Sequence, residues 1–235
     1  MKSINVDCSN CSSQGKSIFC QLEKMASAKV SEHKIMNNYK KGQTIYFQGN
    51  PAFGLYCINS GKIKVSTIAS DGRESIIRIA SSGDSLGHQN LFNEENYNAT
   101  ATVIEDAIIC FFDKAFIHQA VKDEPTIALN LIQSLSREVS SSESKTTSLT
   151  QKNVRERLAE LLLMLQNKFG VKEKNRTKLD ILLTREEMAS MVGTANETLI
   201  RFIAEFKVEG LIEQEKKTIF IKDEKRLLEF ANLSY

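Results

Sequence analysis

A chain of 235 residues, 41% hydrophobic and 26% charged, has room for two domains and the make-up of an ordinary soluble protein. Its formal net charge of +2 excludes a globally basic surface, so any phosphate-binding patch must be local. No apolar run is long enough to span a bilayer, the N-terminus lacks a signal-peptide pattern, and five cysteines, an odd number, fit a reducing compartment; the expectation is a cytoplasmic protein with no membrane partner.

Cys8 and Cys11 open the chain with CxxC spacing, Cys20 follows, and Cys110 lies far downstream. Seven of the eleven glycines then fall between Gly42 and Gly87. They punctuate segments rich in β-branched and aromatic residues, at 44–47, 55–59, 62–68, 74–79, 99–104 and 108–112. Ser60-Gly61 and Asp71-Gly72 read as turns between strands. Short, regularly spaced strands predict an all-β roll, barrel or sandwich. Cys57 falls in a strand and reads as core.

The pattern changes after Pro125. One long helix is predicted to about Leu149, with Ala128, Ile132, Leu135, Val139, Ser142, Thr146 and Leu149 at the spacing of a coiled-coil seam. Its first half is apolar; Ser142 and Thr146 interrupt the second. Such a helix can pair with its twin, though not strongly, and the competing expectation is a helix packed on its own domain. A further helix over 154–169 shows an apolar face at Leu158, Leu161, Leu162 and Leu165, and a charged loop follows to Lys178.

Between 184 and 206 lie two helix-start patterns. Thr184 has Glu187 three residues on, and Thr194 has Glu197; each reads as a capping box. Gly193 stands where the first helix should stop, and Ala189 is small where two steeply crossing helices would touch. The second helix turns Leu199, Ile203 and Phe206 inward and Asn196, Glu197, Ile200 and Arg201 outward. Arg can bond guanine O6 and N7, Glu can accept from cytosine N4, and Asn suits adenine, so the layout reads as a DNA-binding helix-turn-helix. An ordinary helical hairpin with a Glu197–Arg201 surface pair competes with it. Arg185, Arg201, Lys207, Lys216 and Lys217 are the local cations for phosphate. Two strands about a lysine-bearing turn at 213–217 predict a wing, and a helix over 224–233 closes the chain.

The stretches YKKGQTI (39–45), LYCINSGK (55–62), SGDSLG (82–87), NVRERLAELL (153–162) and NETLIR (196–201) together resemble the Crp/Fnr family of bacterial transcription regulators, over roughly residues 18–222. The resemblance implies an α+β chain: a cysteine-bearing arm and helix (1–30), a cyclic-nucleotide-binding-type β-roll (31–124), a dimerisation helix (125–150) and a winged helix-turn-helix (151–235). It implies a homodimer paired through Ile132, Leu135, Val139 and Thr146, a two-fold-symmetric double-stranded DNA site, and RNA polymerase as a partner. Glu197 and Arg201 match the main base-reading positions, Thr198 a phosphate-contacting one, and Arg185, Asn196 and Ile200 join them. At Asn196 the family often has Arg or Val, so the outer base of each half-site stays unassigned.

Members that bind cyclic AMP hold its ribose with a Gly-Glu pair and its phosphate with Arg-Ser or Arg-Thr. The matching residues here are Gly87-His88 and Asn98-Ala99, without the acid or the guanidinium, so cyclic AMP is not expected in the usual mode. The resemblance leaves a degenerate effector pocket at Gly87, His88, Asn98, Ala99, Thr100 and Ser142. The family's oxygen-sensing branch holds an iron–sulfur cluster on three N-terminal cysteines and one at the position of Cys110. Cys8, Cys11, Cys20 and Cys110 supply the four thiolates that a [4Fe–4S] cluster or zinc needs, with Cys20 three residues late. Against this stands a reading of Cys20 and Cys110 as core. The signal is therefore open between oxygen or redox state, another small ligand and none. An enzyme on the roll lacks a ligand set or a nucleophile with a base; a β-roll interaction protein without DNA binding is the remaining alternative.

Overall fold

The computed structural model describes residues 8, 11, 17–93 and 95–232. Its contacts divide the chain into two units, Met1–Ser140 and Ser141–Tyr235. The first runs α1 (Lys24–His33), β1 (Ile35–Tyr39), β2 (Thr44–Tyr46), β3 (Gly54–Ile68), β4 (Glu74–Ser81), β5 (Ser85–Leu86), α2 (His88–Leu91), β6 (Thr100–Asp113) and α3 (Lys114–Asp123), and it contains the start of α4 (Pro125–Gln151). The sheet order is β1-β6-β3-β4, with β2 on β6 and β5 on β3.

Four of the expected strands are halves of two long ones. Residues 55–59 and 62–68 are both β3, and 99–104 and 108–112 fall almost wholly within β6. Ser60-Gly61 is not a turn. It is a bulge where the β3–β6 register slips between Ile58 and Lys62, and Gly61 has φ +95°. A Cβ there would lie 2.6 Å from the Ala107 Cα and the Asp106 carbonyl, so glycine lets β3 continue past β6. Asp71-Gly72 does form a turn, with the Gly72 N–H donating to the Ala69 carbonyl at 2.9 Å.

Two apolar clusters hold this unit. Ile58, Ile63, Leu86, Val103 and Ile109 fill the roll, while Phe19, Val30, Leu55, Phe112, Ile117, Ile127 and Leu131 join α1, α3 and the start of α4 to it. Each such side chain contributes about 1.5–3 kcal/mol when fully buried. Proline suits the first position of α4, where its missing N–H has no partner to lose. Ile127 and Leu131 face inward, but the expected seam does not: Ile132 and Val139 are 61% and 56% exposed. Ser142 and Thr146 are exposed and Leu135 is half-buried. The Thr146 hydroxyl donates to the Ser142 carbonyl at 3.0 Å, satisfying itself within the helix.

The second unit adds α5 (Val154–Phe169), β7 (Gly170–Glu173), β8 (Arg176–Leu179), α6 (Arg185–Val192), α7 (Asn196–Val208), β9 (Ile212–Glu215), β10 (Thr218–Ile221) and α8 (Glu224–Phe230). A capping box at Asn153 and Glu156 starts α5. Leu158, Leu161, Leu162 and Leu165 are buried on it, as their spacing predicts. The expected charged loop after Gly170 is instead the β7–β8 hairpin, and the sheet runs β7-β8-β10-β9. Only Thr177 and Leu179 of that hairpin are buried, which is why its lysines and glutamates read as loop. The last helix ends at Phe230, short of Leu233, which lies outside the described residues. Among the described residues no helix is long and apolar enough to cross a membrane.

Candidate DNA-reading surface and sensor pocket

The first capping box forms as the sequence predicts. The Thr184 hydroxyl accepts from the Glu187 N–H at 3.1 Å, and the Thr184 N–H donates to the Glu187 carboxylate at 2.9 Å. Gly193 ends α6 in the left-handed region at φ +71°. The second box does not form. The Thr194 N–H closes α6 by donating to the Ala189 carbonyl at 3.0 Å, so Thr194 belongs to the end of the first helix. Ala195 is left as the N-cap of α7, with no side-chain cap.

Met188, Ala189 and Val192 of α6 are buried, as are Leu199, Ile203 and Phe206 of α7. Two arginines of α5 brace the motif. Arg157 donates to the Val192, Gly193 and Lys152 carbonyls at 2.8, 3.1 and 2.7 Å. Arg155 Nη2 donates to both Glu209 oxygens at 2.5 and 2.6 Å, and its guanidinium lies over the Phe230 ring. At the end of α4, Ser148 is buried and donates to Glu160 at 2.5 Å. The sequence reading missed these braces because α5 signalled itself only by its apolar face.

Glu197, Ile200 and Arg201 are exposed on the outer face of α7, and Thr198 and Asn196 are half-buried beside them. The Arg201 side chain is 66% exposed and touches Glu205 at 3.9 Å, so the partner expected in the hairpin alternative, Glu197, is not the one it meets. Among the described residues Asn196 Oδ1 has no hydrogen-bond partner. Arg185 does not reach outward: it donates to Gln214 of β9 at 2.6 Å and ties α6 to the wing. Lys216 and Lys217 form the exposed tip of that wing, with Lys216 at φ +54°. An α7 that buries one face and presents an arginine and a glutamate on the other can enter a major groove and address guanine and cytosine.

In the first unit, Gly87 takes φ +79° and starts α2. His88 is 1% exposed, with Nδ1 3.4 Å from the Ser85 hydroxyl and Nε2 3.1 Å from the Glu138 carboxylate of α4. Gln89 donates to the same carboxylate at 2.6 Å, and Arg78 of β4 meets it at 2.9 Å. Arg78 also donates to the Ser85 carbonyl at 3.0 Å. Asn98 is exposed and touches Gln89 at 3.5 Å, Ala99 is buried, and the buried Thr100 hydroxyl accepts from the Gln48 N–H at 3.0 Å. Tyr46 stacks on Tyr97 at 4.0 Å nearby, and burial pushes its hydroxyl well above the usual tyrosine range. Ser142 lies on α4 past the division between the units. Arg78 and Glu138 were absent from the expected pocket set; neither belongs to a motif.

Of the four cysteines expected as ligands, Cys8, Cys11 and Cys110 lie near one another. Cys8 and Cys11 lie near the paired strand residues Cys57 and Cys110, close enough for their charges to raise the pKa of both thiols. Burial is the larger cause, and it lifts the Cys110 thiol to about 11. The Cys20 carbonyl accepts from Asn130 of α4 at 3.0 Å. Cys57, expected as plain core, pairs with Cys110 across β3 and β6. Among the described residues no group of three or more histidine, cysteine or acidic side chains is arranged to hold a metal.

Comparison with known proteins supports both halves. The family profile of the cyclic nucleotide-binding domain matches residues 36–124, and that of the Crp-like helix-turn-helix domain matches 156–230. The CRP-like cAMP-activated global transcriptional regulator of Mycobacterium tuberculosis is 30% identical over 210 residues, covering 89% of this chain and 94% of its own. The transcriptional activator protein anr of Pseudomonas aeruginosa is 26% identical, covering 82% and 78%. Among solved structures, FixK2 from Bradyrhizobium japonicum superposes with a TM-score of 0.75 at 21% identity, covering 86% and 99%, which shows the fold.

Proposed function

This chain belongs to the Crp/Fnr family of bacterial transcription regulators, and from that premise we propose that it acts in the cytoplasm as a homodimer reading a two-fold-symmetric DNA site, with one α7 in each half-site. The observation that carries this reading is the outer face of α7, where Glu197 and Arg201 stand exposed on a helix whose other face is sealed into the core. Thr198, Asn196, Lys207 and the wing lysines flank them for phosphate and edge contacts, and RNA polymerase is the further partner. The uncovered Ile132 and Val139 on α4, with Leu135 between them, supply the dimer seam. The arm (1–30), roll (31–124), pairing helix (125–150) and DNA unit (151–235) divide these tasks.

Selection from random duplexes is expected to enrich inverted repeats, bound by a species of twice the chain's 26.4 kDa mass in sedimentation. Enrichment of single, asymmetric sites bound by a monomer overturns the homodimer.

The relative from Mycobacterium tuberculosis is named for its activation by cyclic AMP. In this chain His88 and Asn98 replace the acid and the guanidinium of the usual mode, and the Glu138 carboxylate already occupies the nearby Arg78. An ionised phosphate entering there would meet that carboxylate and lose the charge-assisted bonds that offset its desolvation. Isothermal titration with cyclic AMP is expected to show no binding at micromolar concentrations; a micromolar Kd refutes this. Among the described residues no group arranged to hold a metal supports an oxygen or redox signal through iron–sulfur or zinc.

A further inference from the structure

Glu138 is where the sensor pocket meets the long helix. Its Oε1 lies 2.9 Å from Arg78, and its Oε2 receives Gln89 at 2.6 Å and meets His88 Nε2 at 3.1 Å. The side chain is 16% exposed. Burial alone would raise the carboxyl's pKa, but the bonds from His88, Arg78 and Gln89 outweigh it and hold the group below the usual glutamate range, so it is an anion at neutral pH. Three partners from β4 and the first turn of α2 converge on one carboxylate that comes from a distant element. Arg78 is itself held in line by the Ser85 carbonyl, and His88 by the Ser85 hydroxyl. Such an arrangement has the features of a binding site with its ligand in place: a guanidinium, an amide and a buried imidazole aimed at a planar anion.

We propose that Arg78, His88 and Gln89 form a seat for a small carboxylate, and that the chain fills it with its own Glu138, fastening α4 to the roll. The ligand class follows from the geometry. Two oxygens of one planar group are bonded from different sides, which formate or acetate can reproduce and spherical chloride cannot. A carboxylate effector would compete with Glu138 and free this part of α4. Only that last consequence, an effect on DNA, rests on the function proposed above; the seat itself is read without DNA.

The test is chemical rescue. Glu138→Ala empties the seat and leaves its three partners. Sodium formate is expected to raise the melting temperature of Glu138→Ala in a saturable way, beyond sodium chloride at equal ionic strength. It should bind this variant roughly tenfold or more tighter than the wild type, whose seat is filled. Adding Arg78→Ala should abolish the difference. Equal shifts with formate and chloride, or equal shifts for variant and wild type, overturn the proposal. If Glu138→Ala does not fold without formate, recovery on refolding in formate but not chloride supports the seat, and equal recovery refutes it. Glu138→Gln, which keeps the shape, is expected to lose hydrogen-exchange protection across residues 131–139; unchanged protection refutes the fastening. Binding of the selected duplex is measured separately, so a failed seat leaves the DNA reading standing, and failure to bind DNA leaves the seat.

Discussion

Arg201→Ala is expected to weaken binding of the selected duplex by about 2–6 kcal/mol per dimer, since two symmetric copies each lose a guanine contact of about 1–3 kcal/mol. The loss should concentrate at one base pair in each half-site, where specificity relaxes. A residue touching only phosphate would instead weaken all sequences alike and flatten the salt dependence by about one counterion per contact. The fold should be untouched, because the side chain is 66% exposed and its ion-pair contact among the described residues is the long one to Glu205, of a kind that contributes little in solvent. Quantitative footprinting on the selected site and its single-base variants measures this. An unchanged footprint would return α7 to an ordinary surface helix and favour an interaction protein.

Gly193→Val is expected to unfold or distort the DNA unit, at a cost of about 2–4 kcal/mol. Two effects add. The residue has φ +71°, which a β-branched side chain resists, and a Cβ there would come within 2.8 Å of a Leu149 methyl. The Leu149 methyl can yield, so the backbone strain dominates. Calorimetry should show the second unit's transition falling by several degrees with the first unchanged, and specific DNA binding should fall with it. A variant that melts and binds like the wild type would mean that the turn tolerates another conformation.

Where pattern and packing agreed, the sequence was enough. The apolar spacing of Leu158 to Leu165 and of Leu199 to Phe206 gave α5 and α7, and Gly193 gave the break between α6 and α7. Reading failed where a signal has two physical outcomes. Ser60-Gly61 suits a turn, but the same left-handed glycine also serves a bulge, and only the close approach of Ala107 decides between them. Thr194 and Glu197 have the spacing of a capping box, yet the Thr194 N–H is committed to the helix before it. The β7–β8 hairpin hid because nearly all of it faces water. The pocket was harder still: its principal ion pair joins residues 78 and 138, whose separation no local spacing reveals. Cys57 was set aside for the same reason, as its strand pairing with Cys110 brings it to Cys8 and Cys11.

The Arg157 guanidinium holds three carbonyls at once, one just beyond α4 at Lys152 and two in the helix-turn-helix break at Val192 and Gly193. Ser148 donates to Glu160 and Leu149 lies against Gly193, so the last turn of α4 also touches α5 and the break. The end of α4 is thereby packed into the same body as α6 and α7, so a substitution that frees Ser148 or Arg157 is expected to loosen the seating of the reading helix itself.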